Sequence, residues 1–192
     1  MREGSQGRPP DLVERRSVFE GRIVRLSVDR VRLPDGREGE REMVRHPGAA
    51  GALPFLDDPG ADDPELLLLR QYRYPAGGWL WEAPAGLLDG DEDPESCARR
   101  ELEEEAGYRP GRVAPLVRIH TSAGFTDEVV HVFAAWELEA TQATPEEHEF
   151  LEIHRLPFSA ALEMVRSGEI TDTKTVTALL YARAFPDPAT WR

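Results

Sequence analysis

Glu101 and Glu105 stand four residues apart in the segment PESCARRELEEEA, residues 94–106. A helix would bring such a pair onto one face, one turn apart. On a wheel at about 100° per residue with Cys97 at zero, Ala98, Leu102 and Ala106 fall at about 100°, 140° and 180°. That arc is apolar and should meet a core. Glu101 at about 40° and Glu105 at about 80° lie inside it, and Glu104 sits at its edge near ~340°. The competing reading is a solvated helix with glutamates repelling across one turn. Burying two like charges costs several kcal/mol each unless something compensates. Arg100 is adjacent, but one guanidinium cannot neutralise three carboxylates. A divalent cation can, and clustered hard oxygen ligands favour Mg²⁺ or Mn²⁺ over zinc.

The acidity around this helix belongs to a pattern. The chain of 192 residues carries 36 Asp and Glu against 23 Lys and Arg, a formal −13. Residues 57–65, 82–105 and 137–152 hold −5, −8 and −6, which leaves the remainder at +6. A broad nucleic-acid-binding face needs the opposite balance. The one cysteine, Cys97, can form neither an internal disulfide nor a thiolate zinc set. No apolar run approaches the roughly 18–20 residues that span a bilayer. The opening MREGSQGRPP lacks the apolar stretch of a secretory leader. A cytoplasmic protein with no membrane or nucleic-acid partner is the expectation.

The elements that must position the glutamates can be outlined. Residues 1–16 read as a flexible tail and 17–192 as a single domain. Residues 17–33 alternate apolar and polar through Val18, Ile23, Leu26, Val28, Val31 and Leu33, which is strand periodicity. Pro34-Asp35-Gly36 supplies turn chemistry, and a strand resumes over 42–46. Residues 49–56 and 65–72 read as strands paired around an acidic, solvated turn. Residues 75–93 show little periodicity. Asp93 is a natural N-cap with Pro94 at the first helical position, and Gly107 is a natural stop, so a helix is expected over 94–106. Strands are expected over 113–119, 129–138 and 151–156, and helices over 158–167 and 173–185. This order suits a mixed sheet covered by helices.

Around the helix, Gly86 is followed by five residues and Glu92. Seven more lead to Arg100-Glu101-Leu102, then one residue, Glu104-Glu105, one residue, and Gly107-Tyr108. This resembles the Nudix box, G-x5-E-x7-R-E-U-x-E-E-x-G-U with U bulky and apolar. The resemblance implies a Nudix hydrolase, an enzyme that cleaves a pyrophosphate attached to a nucleoside, using Mg²⁺ with Mn²⁺ able to substitute. It implies an α/β/α sandwich with a mixed β-sheet and an N-terminal antiparallel strand extension. It also implies that Glu101 and Glu105 are metal ligands, that Glu104 is a further ligand, and that the Ala85 backbone carbonyl completes the shell. Arg100 would hold a glutamate by a charge-assisted bond, and Glu92 would be structural.

The resemblance extends over roughly residues 17–185. Arg70-Gln71-Tyr72-Arg73, Trp81-Glu82-Ala83-Pro84-Ala85-Gly86, and Arg41-Glu42 ahead of His46-Pro47-Gly48 are similar to the ADP-ribose pyrophosphatase subgroup. In Ser122-Ala123-Gly124-Phe125-Thr126-Asp127-Glu128, Ala123 stands where that subgroup usually has proline. The subgroup implies hydrolysis of ADP-ribose to AMP and ribose 5-phosphate. Another nucleoside-diphosphate sugar, an oxidised nucleotide, or a non-catalytic ligand sensor remain as alternatives. It casts Arg73 as a phosphate clamp, since guanidinium meets phosphate bidentately. Glu82, Arg41 and Glu42 would serve the nucleoside ribose, Arg22 the adenosine, and Gly124 and Glu128 the terminal ribose. In the loop TPEEHEFLEI, Glu147 is the expected general base, with Glu146 a close rival and Glu149 an accessory metal ligand. A homodimer exchanging the N-terminal strands, residues 17–46, is implied as well.

Overall fold

Among the described residues, the first reverse turn between strands is closed by Gly21, whose N–H donates to the Val24 carbonyl at 2.9 Å. It separates β1 (Leu12–Glu20) from β2 (Arg25–Arg32), and a second turn at Asp35-Gly36 leads to β3 (Glu38–Arg45). The computed structural model describes residues 11–145 and 148–191. These divide into two compact units: residues up to Pro47 with Ser122–Glu128, and Gly48–Thr121 with the chain from Val129 onward.

In the first unit the three strands form an antiparallel sheet in the order β1-β2-β3. Two expectations are corrected. The alternation over 17–33 is shared between two strands, because Gly21 permits the chain to reverse. Strand β1 also begins at Leu12, inside the stretch read as a tail. Its early residues are fixed by pairing, Leu12 with Val31 and Arg15 with Asp29. The buried Asp29 carboxylate accepts from Arg15 Nε and Nη2 at 3.0 and 2.9 Å, Ser27 Oγ at 2.8 Å and Arg45 Nη2 at 2.6 Å. Burial alone would raise its pKa, but these donors outweigh it and hold it at about 2. Arg45 also reaches Asp127 at 2.9 Å, and Val44 N–H donates to the Phe125 carbonyl. The 122–128 segment turns on itself without a proline, since Phe125 and Thr126 both donate to the Ser122 carbonyl.

The second unit contains β4 (Ala49–Pro54), β5 (Glu65–Arg73), β6 (Gly78–Glu82), β7 (Ala85–Leu87), α1 (Pro94–Ala106), β8 (Tyr108–His120), β9 (Val129–Ala140), β10 (Leu151–Pro157), α2 (Phe158–Ser167) and α3 (Thr173–Ala184). One sheet runs β7-β4-β9-β8 and is mixed, because β4 and β9 are parallel. The other is antiparallel, β10-β5-β6. The expected pairing of 49–56 with 65–72 is therefore wrong: the two stretches join different sheets and meet at a single bridge, Phe55 with Leu66. Leu66–Leu69 are all fully buried, as in a strand covered on both faces, and such a run does not encode its partner.

Alternation along the strands sends side chains to two opposite layers. Ala50, Ala52, Phe133 and Ala135 meet Cys97, Ala98, Leu102 and Ala106 of α1. Leu53, Val132, Ala134 and Trp136 meet residues of α2 and α3, with Phe55, Leu68 and Trp191. This is the α/β/α sandwich. The acidic loop 57–65 also has a structural task. Asp63 accepts from Ser159 N–H and Oγ–H, both at 2.7 Å, and so caps α2, whose own N-cap position is Pro157.

Candidate active site

Helix α1 forms as its caps dictate. Asp93 accepts from Ser96 N–H, Pro94 opens the first turn, and Gly107 closes the helix in the left-handed region at φ 71°. The buried face then carries Glu101, 8% exposed, and Glu105, 2% exposed, among the apolar residues. Small residues of β4 under the helix let it lie close to β7. The Ala85 N–H donates to Glu105 Oε2 at 2.9 Å. A Cβ placed on Gly86 would stand 2.0 Å from Glu101 Oε1, so the glutamate occupies the space a side chain there would fill.

Arg100 organises the polar edge. Its Nε and Nη2 donate to Glu92 at 3.0 Å each. Its Nη1 reaches Glu101 Oε1 at 2.7 Å and Glu104 Oε2 at 3.0 Å, and Nη2 also meets the Leu87 carbonyl at 3.2 Å. The Arg100 pKa rises accordingly, led by the Glu92 bonds. Glu92 accepts the Asp89 N–H as well, which makes it the pin of the loop-to-helix junction. Burial pushes Glu101 up to about 7 against the pull of Arg100. It pushes Glu105 up to about 8, with Glu101 adding repulsion. The half-buried Glu149 raises both, which brings it electrostatically into the cluster. The Cys97 thiol, buried and facing the Gly86 and Leu87 carbonyls, is pushed up to about 12 and has no thiolate chemistry near neutrality.

This donor set fits a hard divalent cation. Two desolvated carboxylates meet the Ala85–Gly86 main chain, and Arg100 offsets only part of their charge because Glu92 and Glu104 share it. Among the described residues no three His, Cys, Asp or Glu side chains converge on one point, so the pair and the β7 main chain form the core of the candidate site. Glu147 and its rival Glu146 lie outside the described residues. Replacing Gly86 by alanine is expected to leave the fold intact, because the clash falls on the Glu101 carboxylate. Divalent-cation affinity is expected to fall roughly tenfold or more. Mn²⁺ titration beside thermal unfolding checks this, and a large loss of stability with cation affinity kept would refute it.

Just before β7 in the chain, at the end of β6 in the other sheet, Glu82 is 3% exposed. Arg73 donates to both its oxygens at 2.8 and 2.9 Å, and Lys174 forms an ion pair with it. Burial would raise the Glu82 pKa, but Arg73 and Lys174 outweigh it and the net shift is downward. Both oxygens are thus engaged by cations. Sequence reasoning missed Lys174, although it is the one lysine in the chain. Its partner Asp172, at 3.1 Å, lies two residues away in sequence, and the link to Glu82 is made only by folding.

In the first unit, Arg41, Glu42 and Gly124 line one cavity of about 480 Å³ together with Arg16, Val28, Glu40 and Phe125. Arg22 stands exposed in the turn between β1 and β2. Glu128 faces His46 Nδ1 at 3.5 Å. The structure therefore gathers three of these five residues and leaves Arg22 and Glu128 outside that cavity's lining.

The mixed sandwich carries a buried, arginine-organised glutamate pair suited to a divalent cation, and the comparisons give the class of protein that carries it. Residues 45–179 match the NUDIX domain, and residues 11–44 match the nucleoside diphosphate sugar hydrolase N-terminal domain. The chain belongs to the Nudix family and is a pyrophosphohydrolase. It is 38% identical over 171 residues to an ADP-ribose pyrophosphatase of Bacillus subtilis (strain 168), covering 88% of this chain and 90% of that one. It is 37% identical to a methanol dehydrogenase activator of Bacillus methanolicus, with the same coverage. The crystal structure of an ADP compounds hydrolase shares the fold with a TM-score of 0.77 at 19% identity, covering 95% of this chain and 96% of that one.

Proposed function

We propose that this enzyme hydrolyses ADP-ribose to AMP and ribose 5-phosphate, with Mg²⁺ as its cation and Mn²⁺ able to substitute. The observation that carries the reading is the buried Glu101 and Glu105 pair on the main chain of β7. The similarity to an ADP-ribose pyrophosphatase over nearly the whole chain supports the substrate. Glu101, Glu105 and Glu149, with Glu104 and the Ala85 carbonyl, would hold the cation. When bound it neutralises the diphosphate and acidifies water. Arg100 keeps Glu101 aimed inward. Water adds to one phosphorus, the bridging P–O bond breaks, and the water's proton passes to a carboxylate, assigned to Glu147 from its place in the sequence.

Arg73, fixed by Glu82, is assigned to the diphosphate, so Glu82 acts through the arginine. Arg41 and Glu42 are assigned to the nucleoside ribose, Arg22 to the adenosine, and Gly124 and Glu128 to the terminal ribose. Exposed Val18, Phe19, Ile23 and Val24 support a homodimer contact through the N-terminal strands, because such apolar clusters mark interaction surfaces. A cytoplasmic location accords with the single buried thiol. No helix among the described residues is long and apolar enough to cross a membrane.

The test is turnover of a panel of nucleoside-diphosphate sugars, dinucleotides and oxidised nucleotides with Mg²⁺, products identified by chromatography. ADP-ribose is expected to give AMP and ribose 5-phosphate with the highest kcat/KM, and EDTA is expected to stop the reaction. Preference for another sugar nucleotide would overturn the substrate, and no turnover of any would overturn catalysis.

A further inference from the structure

Four consecutive residues leading into β7 are each gripped from elsewhere in the fold, by β5, α3, β4 and α1. Glu82 is held by Arg73 of β5 and Lys174 of α3. The Ala83 N–H donates to Thr175 Oγ1 of α3 at 2.8 Å. The Pro84 carbonyl accepts from Ala52 N–H of β4 at 3.0 Å. The Ala85 N–H donates to Glu105 of α1 at 2.9 Å. Strand β4 makes room at Gly51, where a Cβ would lie 2.4 Å from the Ala85 Cβ and 2.5 Å from the Pro84 carbonyl oxygen.

Thr175 takes no part in the reaction proposed above. It is 0% exposed. Its hydroxyl donates to Asp172 Oδ2 at 2.6 Å while accepting from Ala83, so its proton and a lone pair are both committed. Asp172 caps α3 by accepting Thr175 N–H at 3.0 Å and also pairs with Lys174. The orientation of the hydroxyl is thereby fixed from one side and read out on the other. Two residues downstream of Ala83, the same main chain faces Glu105, and one further on it accommodates Glu101.

We propose that Thr175 is a positioning residue for the cation site. Its hydroxyl sets the path of the Ala83–Gly86 main chain against the carboxylates of Glu101 and Glu105, so divalent-cation affinity depends on a residue that touches neither carboxylate. This rests on the metal-dependent reading above. Groups that orient a ligand from behind commonly change metal affinity by tens of fold when removed.

The experiment titrates free Mn²⁺ by electron paramagnetic resonance, without substrate, against the intact wild-type chain and T175V, T175S and T175A, with thermal unfolding in EDTA alongside. Thr175→Val keeps the shape and deletes the hydroxyl. It is expected to weaken Mn²⁺ binding roughly tenfold or more, whereas Thr175→Ser, which keeps the hydroxyl, stays within about twofold. A folded T175V binding Mn²⁺ like wild type would overturn the proposal. Should T175V fail to fold, the comparison of T175A with T175S decides, since both lose the methyl group and only alanine loses the hydroxyl. Equal affinities there would overturn it, and weaker binding by T175A would support it. A wild-type chain that binds no Mn²⁺ would sink the metal reading together with this one.

Discussion

Replacing Glu101 by glutamine is expected to lower kcat for ADP-ribose by about a thousandfold or more, while the fold persists. Loss of one preorganised group that stabilises a transition state commonly costs about 10²–10³ in rate, and Glu101 acts through the cation it would hold, whose site the same change weakens. Glutamine retains shape and can still accept from Arg100 Nη1, now 2.7 Å from Glu101 Oε1, so packing is preserved. Kinetics across a Mg²⁺ series and circular dichroism check the prediction together. Activity within tenfold of wild type at low Mg²⁺ would refute the assignment of Glu101 as a ligand. Glu104→Gln should cost less, because Glu104 lies at the exposed edge of the cluster and shares Arg100 with two other carboxylates.

Without divalent cation, stability is expected to fall as pH rises from about 5 to 8 and to level off above that. Glu101 and Glu105 titrate near 4.5 when unfolded, but at about 7 and about 8 in the folded chain. Between those limits the native state binds more protons than the unfolded state, so raising the pH favours unfolding. The cost is greatest where both are ionised, above pH 8. For the more buried Glu105 alone the effect is on the order of 5 kcal/mol, or roughly 10–20 °C in Tm for a chain of this size. Unfolding scans in EDTA from pH 5 to 9 measure it, and excess Mg²⁺ should recover most of the loss at pH 8 and little at pH 5. Glu105→Gln should flatten the EDTA profile and raise Tm at pH 8. A metal-free Tm that climbs with pH over this window would contradict it.

How much of this was legible beforehand depended on the range of each interaction. Helix α1 was readable to the residue, because Asp93, Pro94 and Gly107 are local signals and because the misplaced glutamates show in a local periodicity. The Arg100 hub was half legible: Glu101 and Glu104 are neighbours in sequence, and Glu92 is fixed by the spacing. Strand partners were not. The leucines of 66–69 carry no mark of which strand they will join, and the parallel pairing of β4 with β9 spans some eighty residues. The contacts of Lys174 and Thr175 to Glu82 and Ala83 cross 92 positions each, and in a single sequence they look like any polar helix start. Arg73 and Glu82 were both singled out, but as separate substrate contacts. Their mutual fork depends on the β5–β6 register, which brings Leu69 opposite Glu82 and Arg73 opposite Gly78.

The two layers of the sandwich differ in the side chains that fill them. The α2 and α3 side is filled by Leu, Phe, Ile and Trp, a cushion of branched and aromatic volume that can absorb a methylene here or there. On the α1 side, Leu102 and Phe133 stand among the small groups of Cys97, Ala98, Ala106, Ala135, Ala50 and Ala52, and those small groups set the gauge between helix and sheet. A bulkier side chain at either alanine would lift the helix by a fraction of its own width and draw both glutamates off the β7 main chain together. Variation that tunes the stability of this enzyme should therefore accumulate on the α2 and α3 side rather than at Ala50 and Ala52, though neither alanine touches a reacting atom.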